Sequence, residues 1–359
     1  MLPDIQGVYE SLQELYASKW ITNMGAKHNE LESAIKQELK VPNAKLFNNG
    51  TIALLTAIKA LNLPYDSEVI TTPFTFAATP HCISWNGLKP VFCDIEPQTM
   101  TINADKIESL ITPKTSAILG VHVYGFPCNV DKIDKIAQKH NLKVIYDAAH
   151  AFSTELDGVS IGNFGDITMF SFHATKLFNT IEGGALTYKD TNLSEKIHNL
   201  RNFGIKNEEF VEEIGINGKM NEIQAAWGLL NLKMYRAEQV KRQKVKAFYD
   251  ENLSKIRGIK VPQMPKNTTN SYQYYPIIVD DEYPLSRDEV YDKFKAINIM
   301  TRKYFYPACH DFECYKNAKR ADLSVTDEIK MKVLCLPFYG DLSEQVLSFI
   351  CERIENVFR

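Results

Sequence analysis

Three places in the chain put reactive side chains directly after runs of apolar residues. DITMF (166–170) leads into SFHATK, which sets Ser171, His173 and Lys176 behind a strand-like segment, and EGGALTY begins another. LKVIY ends at Asp147 and continues as AAH, bringing in His150. KLFNN is followed by Gly50 and Thr51, which open the helix-period segment TIALLTAIKALNL. Each position has an ordinary use. Threonine after glycine can cap its own helix, aspartate after a strand can close a turn, and most lysines are solvated surface charges.

Each also has a chemical use. A helix N-terminus offers free N–H groups and partial positive charge, glycine lets an anion approach, and threonine adds a hydroxyl: a phosphate cradle. A buried carboxylate beside a heteroaromatic nitrogen favours the protonated ring by charge pairing. A lysine withdrawn from water loses its proton readily and becomes an amine able to form a Schiff base. Lys176 follows Asp147 by 29 residues, in a segment rich in small and apolar residues. Carboxylate, lysine and phosphate cradle together are the set that pyridoxal phosphate chemistry requires.

Such groups must be held by a frame. From about residue 45, Val/Ile-rich runs (SEVITTP, KPVFCDI, SAILGVHVYG, LKVIYDAAH) alternate with helix-period segments such as VDKIDKIAQKHN. That alternation predicts an α/β fold whose central sheet is mostly parallel and covered by helices. DITMFSF and GGALTY, with little between them, predict an antiparallel pair. MNEIQAAWGLLNLKMYRAEQVKRQKVKAFYDENL (220–253) reads as one long helix carrying the chain out of a large domain. SYQYYPIIVDD, SRDEVYDKFKAIN, VLCLPFY and EQVLSFICERIENVF then predict a smaller C-terminal α+β domain. The expected division is 1–245 and 246–359. Ligands in such a sheet sit beyond the carboxyl ends of the strands.

Bulk properties narrow the function. The 359 residues are 45% hydrophobic and 24% charged, with formal net charge −3. A near-neutral chain has no broad attraction for nucleic acid or anionic membrane, so any phosphate recognition is local. No apolar run approaches the roughly 20 residues of a membrane span. The amphipathic, acidic MLPDIQGVYESLQELY is unlike a signal peptide. Seven scattered cysteines read as buried free thiols in a reducing cytoplasm. Cys309 and Cys314, around His310, lack the second ligand pair of a structural zinc site, and no metal is expected. No G-x-G-x-x-G turn follows the first strand, which argues against a nicotinamide oxidoreductase.

FSFHATK with EGGAL, YDAAH and NGTIAL resembles the DegT/DnrJ/EryC1/StrS family of sugar-nucleotide aminotransferases, as do SKWITNMGAKHNELE (18–32), PFTFAAT (73–79), VHVYGFP (121–127), NGKMNEIQAA (217–226) and YPACH (306–310). The resemblance covers nearly the whole chain. It implies a pyridoxal-phosphate enzyme of the aspartate-aminotransferase fold, with Lys176 as the Schiff-base lysine, Asp147 at the pyridine nitrogen and His150 near the phenolic oxygen. Gly50, Thr51 and Ser171 match the phosphate contacts, and Phe76 matches the aromatic stacked on the ring. Asn217 matches an asparagine supplied to the phosphate by the neighbouring subunit, which implies a homodimer with shared sites. Lys219 stands where many relatives carry an arginine for the nucleotide phosphates, and lysine lacks the bidentate fork. Tyr306 and His310 match a substrate-facing segment. His173 either orients substrate or packs beneath the loop. NNGT replaces the frequent S-G-T.

The family branch that removes a hydroxyl has histidine in place of the lysine, so Lys176 implies amino transfer. Relatives acting at sugar carbon 4 tend to carry SFHxTK, as here, and those acting at carbon 3 often carry SFYPxK. The implied reaction takes L-glutamate and dTDP-4-keto-6-deoxy-D-glucose to dTDP-4-amino-4,6-dideoxy-D-glucose, for a bacterial surface polysaccharide such as O-antigen. The alternatives are a 3-keto sugar substrate, or a cofactor-binding regulator without turnover, which would be expected to lack Lys176 or Asp147.

Overall fold

The structure, a computed structural model, describes residues 2–358. The apolar runs of the first half build one sheet from Asn43–Phe47 (β1), Glu68–Thr71 (β2), Lys89–Phe92 (β3), Thr115–Val121 (β4), Lys143–Asp147 (β5), Ile167–Ser171 (β6) and Gly184–Tyr188 (β7). Their order is β1-β7-β6-β5-β4-β2-β3. β7 is antiparallel to both neighbours, and Gly184 sits opposite Phe47 on one side and Ser171 on the other. All other pairings are parallel. The sheet is mostly parallel and contains the expected antiparallel pair, but β1 returns to pack beyond it.

Both faces of the sheet are covered. Consecutive strand residues point to opposite sides, so Met169 and Leu186 join one buried cluster while Phe170 and Ala185 join another. This arrangement puts the carboxyl ends of β1 to β6 along one edge. Helix Gly50–Ala60 (α1) starts directly after β1, with the Asn49 side chain accepting from Ile52 N at 2.8 Å. Helix Ala78–Trp85 (α2) follows β2.

Helix Glu222–Leu253 (α3) opens with a capping box between Asn221 and Gln224. Its Ala225 and Tyr235 pack into the large-sheet cluster, whereas Val245, Tyr249 and Leu253 pack against a second sheet. That sheet is antiparallel, in the order Ile259–Lys260 (β8), Tyr275–Val279 (β9), Val333–Leu336 (β10). Helices Arg287–Ala296 and Glu344–Glu355 cover it through Val290, Phe294, Ile350 and Ile354. Among the described residues, no helix is long and apolar enough to cross a membrane. Six cysteines are buried free thiols, as expected, and Cys314 is exposed.

One feature has no signature in the sequence. The segment from Cys309 to Thr326 leaves the small sheet and straps back across the large one. Phe92 in β3 exchanges backbone hydrogen bonds with Lys319 and Ala321, and Phe92, Cys309, Tyr315 and Leu323 form a small core. Helix Ser324–Lys332 (α4) then begins on Asp94, which is fully buried. The Asp94 carboxylate accepts from Thr326 N at 2.9 Å, Thr326 Oγ1 at 2.7 Å and Lys106 Nζ at 2.7 Å. Substituting Asp94→Ala leaves the buried Thr326 donors without their acceptor, and an unsatisfied buried donor costs about 1–3 kcal/mol. Equilibrium urea unfolding should show that loss; one below about 1 kcal/mol, the worth of a surface pair, would mean that the strap is held elsewhere.

Candidate active site

The loops leaving the sheet edge enclose a cavity of about 570 Å³. Asp147 ends β5 at its floor, only 5% exposed. Its Oδ1 accepts from Ala149 N at 3.0 Å and its Oδ2 from Thr79 Oγ1 at 2.9 Å. Thr79 is in turn bonded to Thr75 at 2.8 Å. Burial pushes the carboxyl pKa up, against these two hydrogen bonds and the charge of Lys176. A positive group placed beside it would hold the carboxylate ionised.

Lys176 enters the same cavity from the loop between β6 and β7. The loop is pinned from the far side of the chain. Gln273 accepts from Leu177 N at 2.7 Å and donates to Thr175 O at 3.0 Å. The Lys176 ammonium stands 5.7 Å from the centre of the Tyr274 ring. Burial brings its pKa down to about 8, outweighing the attraction of Asp147. A lysine with that pKa is half amine in mildly alkaline water, the form that attacks a carbonyl.

A third group lies where α1 begins. Asn49 caps Ile52, and Gly50 and Thr51 line the cavity at the helix start, where N–H groups lack intrahelical acceptors. A Cβ on Gly50 would fall 2.9 Å from the Cβ of Ser171, so glycine is what lets this turn press against β6. Phe76 is 62% exposed yet lines the cavity, leaving an aromatic face open to a flat ligand. His150 is buried with its ring almost parallel to Phe305 at 5.9 Å, and its Nδ1 accepts from Tyr124 N at 3.1 Å. Burial, assisted by Lys176, pushes its pKa well down, so the ring is neutral and carries its proton on Nε2.

Over residues 5–355 the sequence matches the DegT/DnrJ/EryC1/StrS aminotransferase family. The chain belongs to that family. It is 44% identical to a dTDP-4-amino-4,6-dideoxy-D-glucose transaminase from Shigella dysenteriae, over 99% of this chain and 97% of that one. The protein of the same name from Escherichia coli is 43% identical, over 96% and 94%. The crystal structure of DesI in the presence of its TDP-sugar product superposes with a TM-score of 0.94 at 34% identity, covering 99% of this chain and 91% of that one.

In this aminotransferase, Gly50, Thr51, Phe76, Asp147, His150, Ser171, His173 and Lys176 all line one cavity. His173 is half-buried, its Nδ1 2.9 Å from Thr175 Oγ1 and its Nε2 3.5 Å from Glu182. Tyr306 lines an adjoining depression of about 410 Å³, which shares Phe76, Tyr304 and Phe305 with the main cavity. The structure does not bring His310 to either space. It is buried 2.9 Å from Asp327, in a knot where Lys330 Nζ reaches Asp327 at 2.6 Å and Asp311 at 2.9 Å. A single ammonium, that of Lys330, is shared between the two acids. Asn217 and Lys219 also lie outside the cavity of their own chain; Lys219 rests 4.6 Å from the Phe203 ring centre. Thr79, Gln273 and Tyr274 are positioning groups that sequence reasoning missed. PFTFAAT contains Thr79, but nothing there marks it as a partner of Asp147.

Asp147 raises the pKa of Lys176, so Asp147→Asn should lower it. In protein stripped of small ligands, the pH midpoint for acylation of Lys176, read by peptide mass spectrometry, should move below that of the unsubstituted chain. An unchanged midpoint would show that the two groups do not interact.

Proposed function

We propose that this aminotransferase uses pyridoxal 5′-phosphate to move the amino group of L-glutamate onto carbon 4 of dTDP-4-keto-6-deoxy-D-glucose, giving dTDP-4-amino-4,6-dideoxy-D-glucose. The observation that carries the reading is the meeting of Lys176, Asp147 and the Gly50 turn in one cavity. The residues fit the cofactor. A glycine cradle that a Cβ would fill lies near Ser171, a buried acid with acceptor capacity lies deeper, and an exposed aromatic face lies above. When bound, pyridoxal phosphate supplies an electron sink and a temporary store for the amino group.

The protein does the rest. Gly50, Thr51 and Ser171 bind the phosphate at the start of α1, where helix polarity favours an anion. Asp147 holds the ring nitrogen protonated, and its bonds from Thr79 and Ala149 keep the carboxylate aimed. Phe76 would offer its open aromatic face to one side of the ring. Lys176 Nζ takes the proton from the α-carbon of the donor in the first half-reaction and delivers a proton to carbon 4 of the sugar in the second. A pKa near 8 suits a group that must do both. The substrate assignment is supported by the 43–44% identical relatives named for the same amino sugar.

The site extends across a homodimer in this reading. Asn217 is exposed, and its carboxamide has no hydrogen-bond partner among the described residues. Around it, Phe203, Ile214, Ile216 and Ile223 leave apolar side chains in water. A second copy of the chain covering that surface brings Asn217 to the phosphate in its partner, with Lys219 beside it as a point charge for the nucleotide.

Glutamate and the dTDP-4-keto sugar should give a product whose NMR spectrum places nitrogen on carbon 4. Lys176→Ala should lower turnover at least 10²–10⁴-fold, the usual worth of a positioned acid–base group. Nitrogen on carbon 3, or an active Lys176→Ala variant, would overturn the assignment.

A further inference from the structure

We propose that Asn48 and Gln224 are positioning residues that act in trans: they hold the Asn217 loop so that it completes the cofactor site of the partner, not their own. The inference rests on the shared-site reading above and adds to it what sets the position of the loop.

The Asn217 side chain is not anchored within its own protomer; its backbone is. Asn217 O accepts from Asn48 Nδ2 at 3.2 Å, and Gly218 O accepts from Asn48 N at 2.9 Å. On the other side, Ile216 N and Gly218 N donate to Leu200 O and Arg201 O at 2.8 and 2.9 Å. Asn48 is itself held by Gln224. One amide hydrogen of Gln224 reaches Asn48 O at 3.2 Å, the other reaches Glu182 O at 2.7 Å, and its Oε1 accepts from Asn221 N at 3.3 Å. Both donors and the acceptor of that carboxamide are therefore in use.

Close packing makes the link stiff. A Cβ on Gly218 would fall 2.9 Å from Ile52 Cγ2, and one on Gly184 would fall 2.9 Å from Gly50 Cα. β7 and the start of α1 therefore meet backbone to backbone, while the loop at Gly218 is wedged directly against the Ile52 side chain of α1. Asn48 is the hinge of this arrangement. Its neighbours Asn49 to Thr51 line the cavity of their own chain, while Asn48 turns the other way and grips the loop that leaves it. Asn48 Oδ1 is buried without a hydrogen-bond partner among the described residues. Asn48→Ala thus removes one bond to the loop and one unpartnered oxygen together.

The test uses mixed dimers of two differently tagged chains, one unsubstituted and one carrying Asn48→Ala. They are given limiting pyridoxal phosphate and reduced with borohydride, and the cofactor fixed to each chain is counted by mass spectrometry. A trans role weakens the site on the unsubstituted chain, so the label should favour the Asn48→Ala chain by about fivefold, the worth of one hydrogen bond. Equal labelling, or label favouring the unsubstituted chain as a local cradle role requires, would overturn the proposal. Gln224→Met is the second variant and should shift the label the same way. A control pair carrying Asn217→Ala must favour the substituted chain if sites are shared; failure of that control removes the shared-site reading itself, whereas failure of the Asn48 and Gln224 pairs alone removes only this inference.

Discussion

An amine and a carboxylate withdrawn from water into the same cavity set the terms for the rest of this structure. Burial pushes each toward its neutral form, lifting the pKa of Asp147 and bringing Lys176 down to about 8. Each also restrains the other, because the ammonium favours the carboxylate and the carboxylate favours the ammonium. The balance leaves a lysine able to act as nucleophile, base and acid near neutral pH, and an acid ready to pair with a cationic ring. Neither property belongs to the side chain alone. Both come from the walls around it.

The fold builds those walls by bringing many strand ends to one edge. Six parallel strands finish there, and β7 brings Gly184 against Gly50 so that the turn at the start of α1, the loop bearing Lys176 and the Asp147 carboxylate share one space. The remaining wall comes from the small domain: Gln273 clamps the lysine loop, and Tyr274, Tyr304 and Phe305 close the mouth. The strap from Cys309 to Thr326 fixes that domain to β3 through Asp94. Site geometry therefore depends on contacts far from the reacting atoms.

Much of this is legible in the sequence, for a physical reason. Strand ends and helix starts are local events, written in apolar runs followed by glycine or a capping residue, so residue order alone places Gly50, Asp147, Ser171 and Lys176 at one edge. The alternation of strands and helices likewise implies the parallel sheet. What stays hidden depends on long-range contact. Thr79 meets Asp147 across 68 residues and Gln273 meets the lysine loop across 96, and neither pairing has a local signature. His310, which the YPACH resemblance points toward substrate, is held instead 2.9 Å from Asp327 of α4, beside the Lys330–Asp327 ion pair. The strap reads as part of the small domain because its composition does not say which sheet it will touch.

The most direct test of the central claim is to locate the covalent attachment. Purified protein loaded with pyridoxal phosphate, reduced with borohydride and digested should yield one modified peptide, bearing the cofactor on Lys176, and Asp147→Ala should weaken loading without moving the site. Label on another lysine, or full-strength loading of Asp147→Ala, would contradict the account.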